Sequence, residues 1–126
     1  MKILFCTTCF EKTANGPAKF AKLLLDINRE YPNHDLRILS EDVKANSQFV
    51  YKLNLKYPPS LKKFSHLFRI FQYHRKAIAI KSDFNWDVVV YNNSFLGIRT
   101  ALSKYKSIGM INDYNNYILR LNEFPR

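Results

Sequence analysis

Met1-Lys2-Ile3-Leu4-Phe5-Cys6-Thr7-Thr8, continued after a polar loop by Asn15-Gly16-Pro17-Ala18-Lys19, is the stretch on which the fold turns. Ile3, Leu4 and Phe5 form a short apolar run of the kind that fills a strand buried on both faces. Pro17 sets φ near the helical value at a first-turn position, where its missing N–H costs nothing. From there Phe20, Leu23, Leu24, Ile27 and Tyr31 recur at i, i+3, i+4, i+7 and i+11 and line one face of a helix. Leu36, Ile38 and Leu39 supply a second strand. Strand, Gly-bearing loop, amphipathic helix and strand, in that order, open an α/β domain.

The same alternation returns later in the chain. Asp87-Val88-Val89-Val90-Tyr91 is a β-branched run that stops at Asn92-Asn93-Ser94, and Phe95, Leu96, Ile98, Ala101 and Leu102 suggest a short helix. Ser107-Ile108-Gly109-Met110-Ile111 reads as a further strand, stopping at Asn112-Asp113. Strands alternating with helices imply crossover connections and a doubly wound, mostly parallel sheet with helices on both faces. In such sheets ligands bind outside the carboxyl ends of the strands. Three loops qualify: residues 11–16, 92–94 and 112–116.

All three loops carry Asn: Asn15, Asn92, Asn93, Asn112, Asn115 and Asn116. A carboxamide both donates and accepts hydrogen bonds, which suits a sugar or another polyhydroxyl ligand, although Asn also caps helices and tolerates turns. Gly16 lets a phosphate approach backbone N–H groups at a helix N-terminus. Asn92-Asn93-Ser94 also fits a glycosylation sequon, which the lack of a secretion signal discounts.

At 126 residues, 47% apolar and 15% aromatic, the chain is globular and forms one domain at most, with a core large enough to fold without disulfides or a metal. No apolar run reaches the roughly 18 residues of a membrane span, and the N-terminal run is too short for a signal-peptide core, so the expected location is cytoplasmic. Cys6-Thr7-Thr8-Cys9 matches a C-x-x-C pattern. On a strand, however, positions three apart point to opposite faces at about 10 Å, so the cysteines read as small buried residues rather than a redox or metal pair.

The net charge of +10 is concentrated in one region: between Val43 and Ser82 there are nine Lys and Arg residues and no Asp or Glu. Ser60, after Pro58-Pro59, can cap a helix from Leu61 to Lys81. Phe64, Leu67, Phe68, Phe71 and Ile78 are expected to face the core. Lys62, Arg69 and Lys76 then lie on the other side, shared with Ile70, Tyr73 and Ile80. This second side, with Lys63 beside it, is open to three readings. It is a solvated basic helix, a contact for an anionic membrane surface, or a weaker contact for nucleic acid, for which no recognition motif is present.

With these residues in view, the chain resembles the N-terminal Rossmann-like domain of a GT-B glycosyltransferase of the retaining family 4 type. The strand-loop-helix of residues 1–19 is similar to the family's strand followed by a Gly-Gly loop, with Asn15 in place of the first Gly. Asp87-Val88-Val89-Val90-Tyr91-Asn92 resembles its D-V-V-H-x-H strand, and Ile111-Asn112-Asp113-Tyr114 its strand ending in His-Asp, with Asn112 in place of His. The resemblance implies that residues 1–126 are a single, incomplete acceptor-side domain. The donor-binding domain with its E-x7-E motif is absent, and the end at Arg126 fits cleavage of a longer protein. It implies that Asn15, Gly16 and Pro17 border the donor phosphates, and that Asn92, Asn93, Asn112 and Asp113 contact acceptor hydroxyls. It also implies a nucleotide-sugar co-substrate held mainly by the other domain, a glycan or lipid-linked acceptor, no metal or resident cofactor, and no activity by this chain alone. The expected location stays cytoplasmic, and peripheral at the inner face of the membrane where the basic face is read as a membrane contact. The competing readings are a stand-alone, non-catalytic α/β module that binds a membrane or polyanion through its basic helix, and a flavodoxin-like or response-regulator-like domain. The last lacks both a Ser/Thr-rich phosphate cradle and paired acidic residues after the first strand.

Overall fold

The computed structural model describes residues 1–11, 16–30 and 34–110. Strand β1 (Lys2–Cys6) leads through helix α1 (Gly16–Glu30) to β2 (Asp35–Ser40), and a link over residues 41–49 reaches β3 (Val50–Lys52). A 3-10 turn (Pro59–Phe64) and helix α2 (Ser65–Ile80) carry the chain to β4 (Val88–Tyr91), and α3 (Ile98–Ala101) to β5 (Ser107–Gly109). The five strands form one sheet in the order β3-β2-β1-β4-β5, every neighbouring pair parallel. The fold is thus a doubly wound, parallel, Rossmann-like α/β sheet.

Side-chain alternation along β1 separates two cores. Leu4 and Cys6 pack with Leu39, Val89, Tyr91 and the α2 residues Tyr73, Ala77 and Ile80. Phe5 packs with Leu36, Ile38 and the α1 residues Ala21 and Leu25. Because successive strand residues point to opposite faces, α1 and α2 lie on opposite sides of the sheet. Trp86, buried before β4, donates its Nε1–H to the Ala77 carbonyl at 2.8 Å and so ties the end of α2 to the central strands.

The face of α2 turned to the sheet differs from the one that apolar periodicity marks, and that of α1 overlaps it only in part, at Phe20 and Leu24, which pack at the edge of the core. In α1 the buried line is Ala18, Ala21 and Leu25, with Asn28 accepting the Leu36 N–H at 3.2 Å, while Leu23 and Ile27 are exposed. The face is turned by one residue, about 100°. Alanines let the helix axis approach the sheet, which the bulkier line would prevent. In α2 the buried residues are Ile70, Tyr73, Ala77 and Ile80, and Phe64, Leu67 and Phe71 face outward. Phe68 is partly covered by stacking on Tyr57 at 5.9 Å between ring centroids. A helix apolar on two sides is oriented by its polar atoms, and only the Tyr73 side carries a hydroxyl that meets buried backbone groups. Ser60 does not cap α2; it lies within the 3-10 turn, and Phe64 holds the cap position without a side-chain bond.

Strand β3 has no counterpart in the sequence reading. It is three residues long at the sheet edge, held by the Ile38 N–H to the Phe49 carbonyl at 2.8 Å and by the Leu53 N–H to the Ser40 carbonyl at 2.9 Å. The link from β2 bears Val43 and Phe49 into the α1-side core in place of a helix. Among the described residues no helix is long and apolar enough to cross a membrane.

Short α3 is fastened by a polar chain. The Tyr91 and Thr100 hydroxyls lie 2.6 Å apart, and Thr100 Oγ1 lies 2.8 Å from His74 Nδ1 of α2. Gly97 sits against this joint, where an added Cβ would fall 2.7 Å from Cγ of the buried Tyr91. Gly97→Ala is expected to destabilise the fold by about 1–3 kcal/mol, read as a lower urea midpoint, because the Tyr91 ring is anchored at its hydroxyl. Burial, and secondarily the Arg99 charge, lower the His74 pKa. The unfolded chain therefore takes up this proton at a higher pH than the folded one. Stability is expected to fall as pH drops through the ordinary histidine value of about 6.5, and His74→Gln should flatten that part of the pH profile.

Candidate functional site

The loops after β1, β2 and β4 converge at the carboxyl ends of the strands on the α2 side. There they enclose, with the first half of α2, a cleft of about 450 Å³. The chain starts at β1, builds outward through β2 to β3, then crosses back to β4 on the other flank, so the cleft lies where the winding direction reverses. Thr8 and Cys9 come from the first loop, Glu41 and Asp42 from the second, and Asn93, Phe95 and Leu96 from the third; His66, Arg69 and Ile70 come from α2.

The walls are fixed by a buried network centred on Tyr73. Its hydroxyl accepts the Glu41 N–H at 3.0 Å and lies 3.2 Å from the Thr7 carbonyl and 3.3 Å from Glu41 Oε1, so its single proton is shared between two acceptors. Burial first, and the Glu41 charge second, push the Tyr73 pKa far above its ordinary value, so it serves as a neutral hydrogen-bonding group. Glu41 in turn accepts Arg69 Nε–H at 2.7 Å and Nη2–H at 3.3 Å, while Arg69 Nη1–H points to Ser65 Oγ at 3.3 Å. The bonds to Glu41 raise the Arg69 pKa further, and the pair is three-quarters or more buried, with side-chain exposures of 25% and 18%. Asp42 accepts the Phe10 N–H at 3.0 Å, and its carbonyl accepts the Glu11 N–H at 3.2 Å, pinning the loop after β1 to the loop after β2.

The expected acceptor residues divide. Asn93 lines the cleft, its Oδ1 also accepting the Phe95 N–H at 2.8 Å as a turn cap. Asn92 does not reach the cleft: it is buried and donates Nδ2–H to Thr7 Oγ1 at 3.0 Å, bracing β4 against β1. Gly16 and Pro17 open α1. Asn15, Asn112 and Asp113 lie outside the described residues.

The basic face of α2 is also corrected. Tyr73 is fully buried and Arg69 is committed to Glu41, so neither belongs to an exposed surface; Lys62 and Lys63 are exposed and Lys76 is half-buried. Cys6 is buried, Cys9 half-buried, and both are free thiols. Among the described residues no group of three His, Cys, Asp or Glu side chains converges as a metal site.

Glu41, Asp42 and Arg69 are the cleft residues that loop composition missed. The available signal was the pair Glu41-Asp42 directly after an apolar strand, the same strand-end position that the other cleft loops occupy. The cleft thus offers carboxylates, a guanidinium and a carboxamide together with the apolar side chains of Ile70, Phe95 and Leu96. No protein-family model, curated protein or solved structure matches the chain significantly. Tyr73→Phe would leave the partly buried Glu41 N–H and the buried Thr7 carbonyl without this partner. The expected loss is about 1–3 kcal/mol of unfolding free energy, measured by denaturant titration.

Proposed function

We propose that this chain is the acceptor-side domain of a GT-B glycosyltransferase, which transfers a sugar from a nucleotide-sugar donor to a glycan or lipid-linked acceptor on the cytoplasmic side of a membrane. The observation that supports this reading is the composition and position of the cleft: hydroxyl-binding groups interspersed with apolar side chains, at the carboxyl ends of β1, β2 and β4. Asn93 and Glu41 suit acceptor hydroxyls, because the first donates and accepts while the second accepts only. Phe95 and Leu96 suit the C–H face of a sugar ring. The donor nucleotide, by the same reading, is held mainly by a second domain, so this chain does not turn over substrate alone.

A second reading is a non-catalytic module that binds a membrane or polyanion and needs no further domain. It draws on the exposed cations Lys62 and Lys63. The intact mass of the source polypeptide separates the two, since only the first requires a second α/β half.

The cleft assignment is tested by titrating oligosaccharides and short-chain lipid-linked sugars into the isotopically labelled protein. Saturable shifts are expected at the amides of Cys9, Glu41 and Asn93, with binding weakened about three- to tenfold by Asn93→Ala. If none of these amides responds to any sugar, the acceptor-site reading is to be abandoned.

A further inference from the structure

The 3-10 turn and α2 leave an apolar line on the outside of the molecule. Leu61, Phe64, Leu67 and Phe71 are exposed by 37%, 43%, 50% and 58%. Phe64, Leu67 and Phe71 stand at i, i+3 and i+7, one strip of helix surface, and Arg75 continues it one turn on. The sheet does not use this strip, since the opposite side of α2 carries Ile70, Tyr73, Ala77 and Ile80 into the core.

Cations border the strip. Lys62 and Lys63 are exposed beside it, and Lys63 Nζ lies 5.2 Å from the centroid of the Phe64 ring. The ion pairs among the described residues use Arg29, Arg37 and Arg69, so Lys62, Lys63 and Arg75 take part in none of them. Positions 43–82 contain no acidic residue, and Glu41, the carboxylate that reaches α2 from the loop after β2, is paired with Arg69.

We propose that the outer face of residues 59–80 docks on an anionic lipid surface, Phe64, Leu67 and Phe71 entering the acyl boundary while Lys62, Lys63 and Arg75 reach the headgroup phosphates. Charge complementarity selects this occupant: an exposed apolar strip bordered by Lys62, Lys63 and Arg75 gains from both insertion and attraction. A second copy of the same face would bring like charges together. The helix lies in the plane of the membrane and does not cross it. This surface shares Lys62 and Lys63 with the one expected from periodicity, but not Arg69, Tyr73 or Lys76. His66 and Arg69, on the flank of the same segment, line the cleft, so a docked α2 sets the cleft beside the headgroups. The proposal does not rest on glycosyl transfer, since vesicle binding requires no sugar.

Co-sedimentation of the whole chain with phosphatidylcholine vesicles, with and without phosphatidylglycerol, provides the test. Binding is expected to the anionic vesicles and to weaken with salt. Lys62→Glu/Lys63→Glu should reduce it by about tenfold or more, and Leu67→Ser/Phe71→Ser by a similar factor. Lys19→Glu/Lys22→Glu, the same charge change on exposed positions of α1 across the sheet, should leave it within about twofold. The buried Trp86 reports through its emission that each variant is folded. Absence of binding to the anionic vesicles overturns the proposal. So do equal losses from the α1 and α2 charge reversals, which mean attraction by net charge alone, and unchanged binding after Leu67→Ser/Phe71→Ser. Concentration-dependent dimerisation abolished by Leu67→Ser/Phe71→Ser would also overturn it, by showing that the occupant is a second copy.

Discussion

One phenol hydroxyl holds the working end of this domain together. Tyr73 reaches from α2 into the junction of β1 and β2, where both strands have just ended and their backbone groups have left the ladder. The Thr7 carbonyl is buried and the Glu41 N–H partly so, and such groups are costly without a partner, so the hydroxyl sets the rotation of α2 about its own axis. Much follows from that rotation. It turns Arg69 toward Glu41, brings His66 and Ile70 to the cleft, and sends Phe64, Leu67 and Phe71 outward. The cleft and the exposed apolar strip are two results of a single orientational choice.

This accounts for what could and could not be read along the chain. Strands β1, β2 and β4 were legible because a central parallel strand is buried on both faces and must be a short, nearly unbroken apolar run, as Ile3 to Phe5 and Val88 to Tyr91 are. Helices α1 and α2 were legible as helices, yet the buried face of α1 was legible only in part, at Phe20 and Leu24, and that of α2 was not. Periodicity weighs large apolar residues most heavily, whereas a sheet packs closely against small ones, here Ala18, Ala21 and Ala77. Edge strand β3 carries too few residues for alternation to be seen. Of the site, the strand-end position of Asn93 was visible. The Glu41 to Arg69 pair was not, since it joins residues 28 apart whose proximity depends on the rotation of α2.

Polar residues that look alike in a loop have opposite fates. Asn92 and Asn93 are neighbours at the end of β4, but only one can point outward where a strand ends. Asn92 turns inward and closes on Thr7, so it belongs to the scaffold; Asn93 turns outward to the cleft. The inward residue makes the outward one precise, because the bond between β4 and β1 fixes the backbone from which Asn93 departs. A similar division separates Cys6, sealed in the core, from Cys9 at the cleft.

The central position of β1 has a consequence for how the chain reaches its native state. One edge of β1 is filled early, by β2, but the other waits for β4, and the contact that completes it joins Thr7 to Asn92, 85 residues apart. Such a pairing carries a large loop-closure cost before any of its reward is collected, which slows folding. On a ribosome the first half of the chain would emerge with an apolar central strand open along one side, a template for pairing with other chains. The order in which the strands are laid down thus makes the interval before β4 appears the period in which this protein is most exposed to misassembly.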